Sequence, residues 1–291
     1  MLDFVPAVLI FLIKALNRGI KMRSAGLAAT LLTMLAGPLA AQDRTPSHCI
    51  ALAENASRVI PVTFGAPVAA ETVRLYYADH ATFLLETAGG LVAATDYTGY
   101  LGTVDVVPDI VTMNNAHHTH WTADPDPRIP HVMRGWAVDG IAADHHLDLG
   151  EMLVRNVPTD TRGPFGEGAA ANGNSIFIFE VAGLFIGHLG HLHQIPDAAQ
   201  YAAIGRLDVV MVPVDGGYTM STAAMGEVVS RLRSSIVIPM HWFSGASLEA
   251  FLTEMEPQFG IVRLETPEFE ISRDKLPSSP TIMVLTPAWL Q

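Results

Sequence analysis

Twelve of the 291 residues are histidine, and eight of them stand just beyond short apolar runs. His80 follows Val73–Ala78, and His117, His118 and His120 follow Ile110–Met113. His188, His191 and His193 follow Leu184–Ile186, and His241 follows Ile236–Met240. Neutral imidazole is the commonest zinc ligand, and closely spaced histidines at a turn suit a catalytic metal. A single histidine of this kind is more often a surface or core residue. Several clusters at the ends of apolar runs tip the balance toward a shared metal centre. Other chemistries have little support. There is no Gly-x-Ser-x-Gly elbow, and no glycine loop precedes a lysine. The single cysteine, Cys49, permits neither an intramolecular disulfide nor a cysteine-based zinc site.

The apolar runs are the elements that must carry these histidines. Val73–Ala78, Thr82–Glu86 and Leu91–Thr95 read as strands, with a hairpin at Gly89-Gly90. Further strands are expected at Asp109–Asn114, Met152–Val157, Ser175–Val181 and Leu184–His188. Beyond these, strands at Leu207–Val212 and Ser235–Pro239 alternate with helices at Asp197–Ile204, Ser221–Arg233 and Leu248–Met255. Ile261–Leu264 and Thr281–Leu285 close the series, and the Gly- and Ala-rich residues 163–174 read as a flexible loop. A strand-rich first half with strand–helix alternation after it indicates a layered α/β fold. In such sheets ligands gather at strand ends, where distant imidazoles can converge.

Composition narrows the partners. The net charge is -12 and no dense Lys/Arg patch interrupts it, which disfavours nucleic acid and anionic membranes. A small-molecule substrate is the expected partner, and oligomeric state is not legible. Lys21 and Arg23 precede the apolar run Ala25–Ala36, followed by Gly37-Pro38 and Leu39-Ala40-Ala41-Gln42. This is the layout of a secretory signal, with cleavage expected after Ala41. Residues 1–41 are therefore read as a signal segment, 42–70 as an extension and 71–291 as the main domain. A second apolar run, Phe4–Ile13, makes Met22 an alternative start. The expected location is periplasmic or secreted, with no stable membrane association once the signal is removed.

Ordered motifs resemble the metallo-β-lactamase superfamily, and more narrowly its ascorbate-6-phosphate lactonase-like branch. His80-Ala81-Thr82-Phe83-Leu84-Leu85-Glu86-Thr87 looks like the opening strand, and Ala94-Thr95-Asp96-Tyr97 like the element whose Asp orients the metal loop. Asn115-Ala116-His117-His118-Thr119-His120 falls where the His-x-His-x-Asp-His signature belongs. His188-Leu189-Gly190-His191-Leu192 is similar to a His-Leu-Gly-Asp-Leu segment. Val212–Thr219 and Ile236–Trp242 look like the two later motifs. The resemblance implies a four-layer αββα sandwich.

The departures are specific. Asn115 replaces the first signature His, Thr119 the signature Asp and His191 the bridging Asp. Metal candidates implied by the resemblance are thus His117, His120, His191 and His241, with His120, His191 and His241 the best set. With both family carboxylates gone, two dications would repel strongly, so one ion, most simply zinc, is expected per chain. A rival arrangement joins His117 and His191 to Asp160, which would serve as ligand or general base. Asp160 beside Pro158 is equally readable as a turn residue. The expected function is an exported metal-dependent hydrolase, using metal-bound hydroxide on an ester, lactone, amide or phosphodiester. The alternative is a non-hydrolytic metal- or ligand-binding member of the same fold. His145-His146 is expected on an exposed loop and Asp215 in a structural turn.

Overall fold

The computed structural model describes residues 64–162 and 169–290. The signal reading, Cys49 and residues 42–63 of the extension lie outside them. No helix among the described residues is long and apolar enough to cross a membrane.

The chain builds two facing mixed sheets. The first contains β1 (Thr72–Asp79), β2 (Thr82–Thr87), β3 (Val92–Ala94), β4 (Ile110–Met113), β5 (His131–Arg134) and β13 (Glu268–Ser272), in the order β13-β1-β2-β3-β4-β5. The second contains β6 (His146–Asp148), β7 (Met152–Arg162), β8 (Ala169–Val181), β9 (Leu184–His188), β10 (Val209–Pro213), β11 (Ile236–Met240), β12 (Gly260–Leu264) and β14 (Thr281–Leu285). Their order is β12-β14-β11-β10-β9-β8-β7-β6. Pairing among β9, β10, β11, β14 and β12 is parallel, so their carboxyl ends share one edge.

Alternation along the strands sorts the core into layers. Leu75, Tyr77, Phe83 and Leu85 from the first sheet meet Phe177, Phe179, Met211 and Ile238 from the second. On the outer face of the second sheet, Ile176, Ile178, Val210 and Val237 pack beneath three helices. These are α1 (Ala198–Ile204), α2 (Thr222–Leu232) and α3 (Gly245–Met255). Asp197 closes a capping box with Gln200, and the Ser221 hydroxyl accepts from Ala224 N. The expected α/β sandwich is present. Among the described residues, Tyr97, Leu101, Ile129 and Ala288 cover the outer face of the first sheet from loops and a short 3₁₀ turn.

Three strands escaped the sequence reading, namely β5, β6 and β13. All are short or largely polar, so apolar periodicity does not mark them. Residues 169–174, expected to belong to a flexible loop, instead begin β8 and pair with the end of β7. Small residues there fit because the hairpin packs tightly: a side chain at Gly173 would lie 2.3 Å from Thr161 Oγ1. Arg74 was also unforeseen as a buried charge. It is fully enclosed on β1, with Glu86 at 2.8 Å and Glu270 at 2.7 Å on the strands to either side.

Candidate metal centre

The histidine cluster forms where strand ends of both sheets meet. His80 occupies the turn between β1 and β2, and His117 and His120 the loop after β4. His188 ends β9, His191 and His193 follow it, and His241 follows β11 directly. Backbone strain helps to aim this ring of side chains. His80 and His241 have φ of 43° and 57°, in the left-handed region that bulky residues rarely adopt. Two bonds hold the strained pair together: His241 N donates to His80 O at 2.8 Å, and Tyr77 Oη donates to the same carbonyl at 2.7 Å. Gly190 turns the chain into His191 at φ 58°, where an added Cβ would lie 2.3 Å from the Asn114 amide. Only glycine satisfies both the turn and that close approach.

His120 and His241 are the most buried of the converging rings. Their Nε2 atoms lie 3.1 Å apart, with ring centroids 5.1 Å apart. Each Nδ1 faces a carboxylate: His120 lies 2.6 Å from Asp96 Oδ2, and His241 lies 2.9 Å from Asp215 Oδ2. If each Nδ1 carries the ring proton, both Nε2 atoms present lone pairs to one another. Two such lone pairs are complementary to a cation, and ligands on a tetrahedral zinc stand roughly 3.3 Å apart at normal bond lengths. Carboxylates behind metal-binding imidazoles are a recurrent means of fixing ring orientation.

The two carboxylates are secured differently. Asp96 is wholly buried; its Oδ1 accepts from Asn114 N at 2.7 Å. Burial pushes its pKa up to about 7, with His188 and the Asn114 N–H pulling the other way. Burial also pushes Asp215 upward, but His241, the Thr219 hydroxyl and the N–H groups of Thr219 and Gly217 outweigh it. Asp215 is consequently held below the usual carboxylate range. The turn role expected of Asp215 is therefore joined by a second one, at the ring of His241.

One ring nitrogen from each of His80, His120 and His241 lies within 4.8 Å of the others, and the same holds for His117, His120 and His191. The four sequence candidates His117, His120, His191 and His241 thus converge, although distributed over two overlapping triads. His191 and His241 have ring centroids 5.0 Å apart. Asp160 does not join them. Its Oδ1 accepts from Asn172 N at 2.8 Å across the β7–β8 hairpin, while Thr161 and Arg162 are the hairpin residues that line the cleft. His188 is saturated. Its Nε2 meets Ala81 O at 2.8 Å and its Nδ1 faces Gly190 N and the Asn114 amide. His145 is distant in role, with Nε2 on Arg134 O, and His146 begins the exposed edge strand β6.

A cleft of about 720 Å³ opens beside the cluster, lined by His117, His191, His193, Arg162, Tyr218 and Phe243 among others. Tyr218 and Phe243 are 71% and 62% exposed and meet edge to face at 5.3 Å, giving the mouth an apolar lip. Tyr218 reaches the cleft. Trp121 and Trp136 instead pack together on the outer face of the first sheet. Sequence reasoning did not single out Phe243, and it counted His80 among the strand-end histidines without naming it as a ligand.

Burial holds several of these imidazoles neutral. His80 is lowered to about 2 and His193 to about 4, chiefly by desolvation; His120, His188 and His191 are lowered for the same leading reason. A histidine depressed in the folded state takes up its proton first in the unfolded chain, so stability falls as pH drops below about 6.5. Asp79, Asp96 and Glu268 act oppositely, because burial raises their folded pKa values, but they are three groups against six histidines, His117 being lowered as well. The metal-free protein should therefore show a lower urea midpoint at pH 5 than at pH 7.5. An equal or higher midpoint at pH 5 would contradict this charge assignment.

Comparison with known proteins agrees with the geometry. Residues 74–241 match the family model described as a beta-lactamase superfamily domain. A UPF0173 protein of Pyrococcus furiosus is 25% identical over 206 residues, covering 63% of this chain and 91% of the relative. A UPF0173 metal-dependent hydrolase of Methanosphaerula palustris is 25% identical over 192 residues, covering 61% and 87%. Among solved structures, one from Thermotoga maritima, provisionally named a Zn-dependent hydrolase of the metallo-beta-lactamase superfamily, superposes with TM-score 0.54. It is 23% identical over 73% of this chain and 98% of that one. The diiron β-hydroxylase CmlA of Streptomyces venezuelae superposes with TM-score 0.52 at 12% identity, over 71% and 55%. These structural likenesses speak to the fold alone.

Proposed function

The chain belongs to the metallo-β-lactamase superfamily, and from that membership and its histidine centre we propose that it is a metal-dependent hydrolase with one zinc ion per chain. The observation that carries this reading is the facing pair of Nε2 atoms on His120 and His241, each backed by a buried carboxylate. The family name of the Methanosphaerula relative supports the same reading.

A count of one follows from the ligands. The two triads share His120, whose Nδ1 is committed to Asp96. A single remaining nitrogen serves one ion at a time, so the triads are alternatives rather than neighbours. Among the described residues neither triad includes a carboxylate to offset repulsion between two dications. His120 and His241 would hold the zinc ion, which would supply Lewis acidity and could lower the pKa of a bound water to about 7.

The chain's own residues do the rest. Asp96 and Asp215 orient the two imidazoles. His117, half on the cleft wall with Nδ1 3.0 Å from Thr119 Oγ1, offers its other ring nitrogen to substrate or water. Tyr218 and Phe243 present apolar surface to the substrate at the mouth. Such a site suits a small ester or lactone with an apolar substituent. Amides and phosphodiesters remain within the same chemistry; Arg162, the cation lining the cleft, donates to the carbonyls of Gly217, Tyr218 and Thr219.

The test is hydrolysis of a panel of aryl and alkyl esters and lactones by zinc-loaded and chelator-treated protein. Turnover restored by adding zinc back supports the reading. Metal-loaded protein that hydrolyses none of the panel, yet binds a member of it, would favour the non-hydrolytic alternative.

A further inference from the structure

We infer that His80, rather than His191, completes the metal site with His120 and His241, and that His191 instead presents an N–H donor to the cleft. This rests on the proposed metal reading and specifies which residues hold the ion. His80 lies outside the signature segments that suggested ligands, and its role emerges from two independent observations.

The first is a fixed chain of hydrogen bonds. The backbone N–H of Arg162 donates to His193 Nδ1 at 2.6 Å. A backbone amide can only donate, so His193 Nδ1 carries no proton and its ring is neutral with the proton on Nε2. That Nε2 lies 2.6 Å from His191 Nδ1 and must be the donor there. His191 Nδ1 is therefore an acceptor, and the proton of the neutral His191 ring sits on Nε2. A protonated Nε2 has no lone pair for a metal. His120 and His241 have the opposite arrangement, with Nδ1 against a carboxylate. Engaging His191 as a ligand would require breaking the chain from Arg162 or creating an imidazolate. The same chain gives His191 a role. Its ring lies beside His120 and His117, with centroids 4.7 Å and 5.6 Å away. An Nε2–H donor there is suited to an anionic oxygen developing on a substrate.

The second observation is an orphaned nitrogen. His80 Nε2 is buried and has no hydrogen-bond partner among the described residues. Buried polar atoms are nearly always satisfied, and one left over in a native site calls for an unseen partner. A ring nitrogen of His80 lies within 4.8 Å of those on His120 and His241, and its ring centroid is 4.0 Å from that of His241. The strained turn that holds His80 is tied to the backbone of His241 itself. Strain of this kind persists where the surroundings over-determine it, and here it brings an unpartnered imidazole to two others.

Competition with a chromophoric chelator gives the zinc Kd of the purified protein and of H80A, H80Q and H191A. Cobalt substitution adds a ligand-field spectrum for each. The unaltered protein is expected to bind about one ion. H80A and H80Q should weaken zinc at least about 100-fold, more than the loss of an outer-sphere partner, and should change the cobalt bands. H191A should shift the Kd by less than about tenfold and leave the bands in place, consistent with an outer-sphere role. Both His80 replacements carry the left-handed φ at position 80, so thermal melts of the metal-free proteins separate ligand loss from misfolding. Long-range ¹H–¹⁵N correlation on metal-free protein should place the His191 proton on Nε2. Unchanged affinity in both His80 variants, with loss in H191A, overturns the inference while leaving the metal reading intact. A His191 proton on Nδ1 overturns the tautomer argument, and absence of binding in the unaltered protein overturns both readings.

Discussion

Replacing His241 with Ala is expected to remove most of the bound zinc and to lower hydrolysis by about 10³-fold, since a catalytic metal supplies several kcal/mol of transition-state stabilisation. His241 contributes one of the two Nε2 atoms that face each other at 3.1 Å, and its Nδ1 rests against Asp215. Without it His120 loses the Nε2 atom that it faces. The left-handed φ at this position makes Ala a strained replacement, so H241N is the better companion. Asn tolerates that conformation but lacks the ring nitrogen. His145→Ala is the control. Its ring bonds Arg134 O away from the cluster, and metal content and turnover should both stay unchanged. Elemental analysis and steady-state rates on the three variants decide the matter. Full metal retention in H241N would remove His241 from the site.

Arg74→Ala is expected to destabilise the protein by about 3–5 kcal/mol, because it leaves buried charge without its counterion. Arg74 is completely enclosed and lies directly across from Glu86 on β2 and Glu270 on β13. Its removal strands two largely buried carboxylates on the sheet that carries His80. Replacing all three with apolar residues of similar volume should recover much of the loss, as buried ionic triads often contribute little net stability. Chemical unfolding of the single and triple variants measures both effects. A single variant within about 0.5 kcal/mol of the unaltered protein would mean that water or other side chains already screen the triad.

Much of this architecture was readable from sequence because its strands are apolar and its motifs ordered. Leu184–Ile186 and Ile236–Met240 announce buried strands by unbroken apolar runs, Val73–Ala78 does so with Arg74 as its one interruption, and the histidines after them mark the strand-end site. Asp197 and Ser221 mark helix starts through their capping chemistry. Asp96 could be associated with the metal loop through the family pattern, and the structure places it against His120. Short strands such as β6 and β13 could not be seen: β6 has three residues, and the alternation in β13, Glu268-Phe269-Glu270-Ile271-Ser272, is too brief to stand out.

The limits at the site were of another kind. Identity and spacing bring His117, His120, His191 and His241 to one place but say nothing about tautomers. The proton on His191 depends on an Arg162 amide 29 residues earlier, aligned by the β7–β8 hairpin. His80 looked like the start of a strand because its role depends on a backbone twist and a bond to His241. Asp160 was a reasonable acid on spacing alone. Its carboxylate is spent on Asn172, while its neighbours Thr161 and Arg162 line the cleft.

The most direct test of a mononuclear, histidine-held centre is the zinc content of metal-replete protein after removal of loosely held ions, measured against protein concentration by amino-acid analysis. The account predicts about one zinc per chain, because His120 offers a single free nitrogen to both triads. A firm value near two would contradict it and require ligands other than the two overlapping histidine triads.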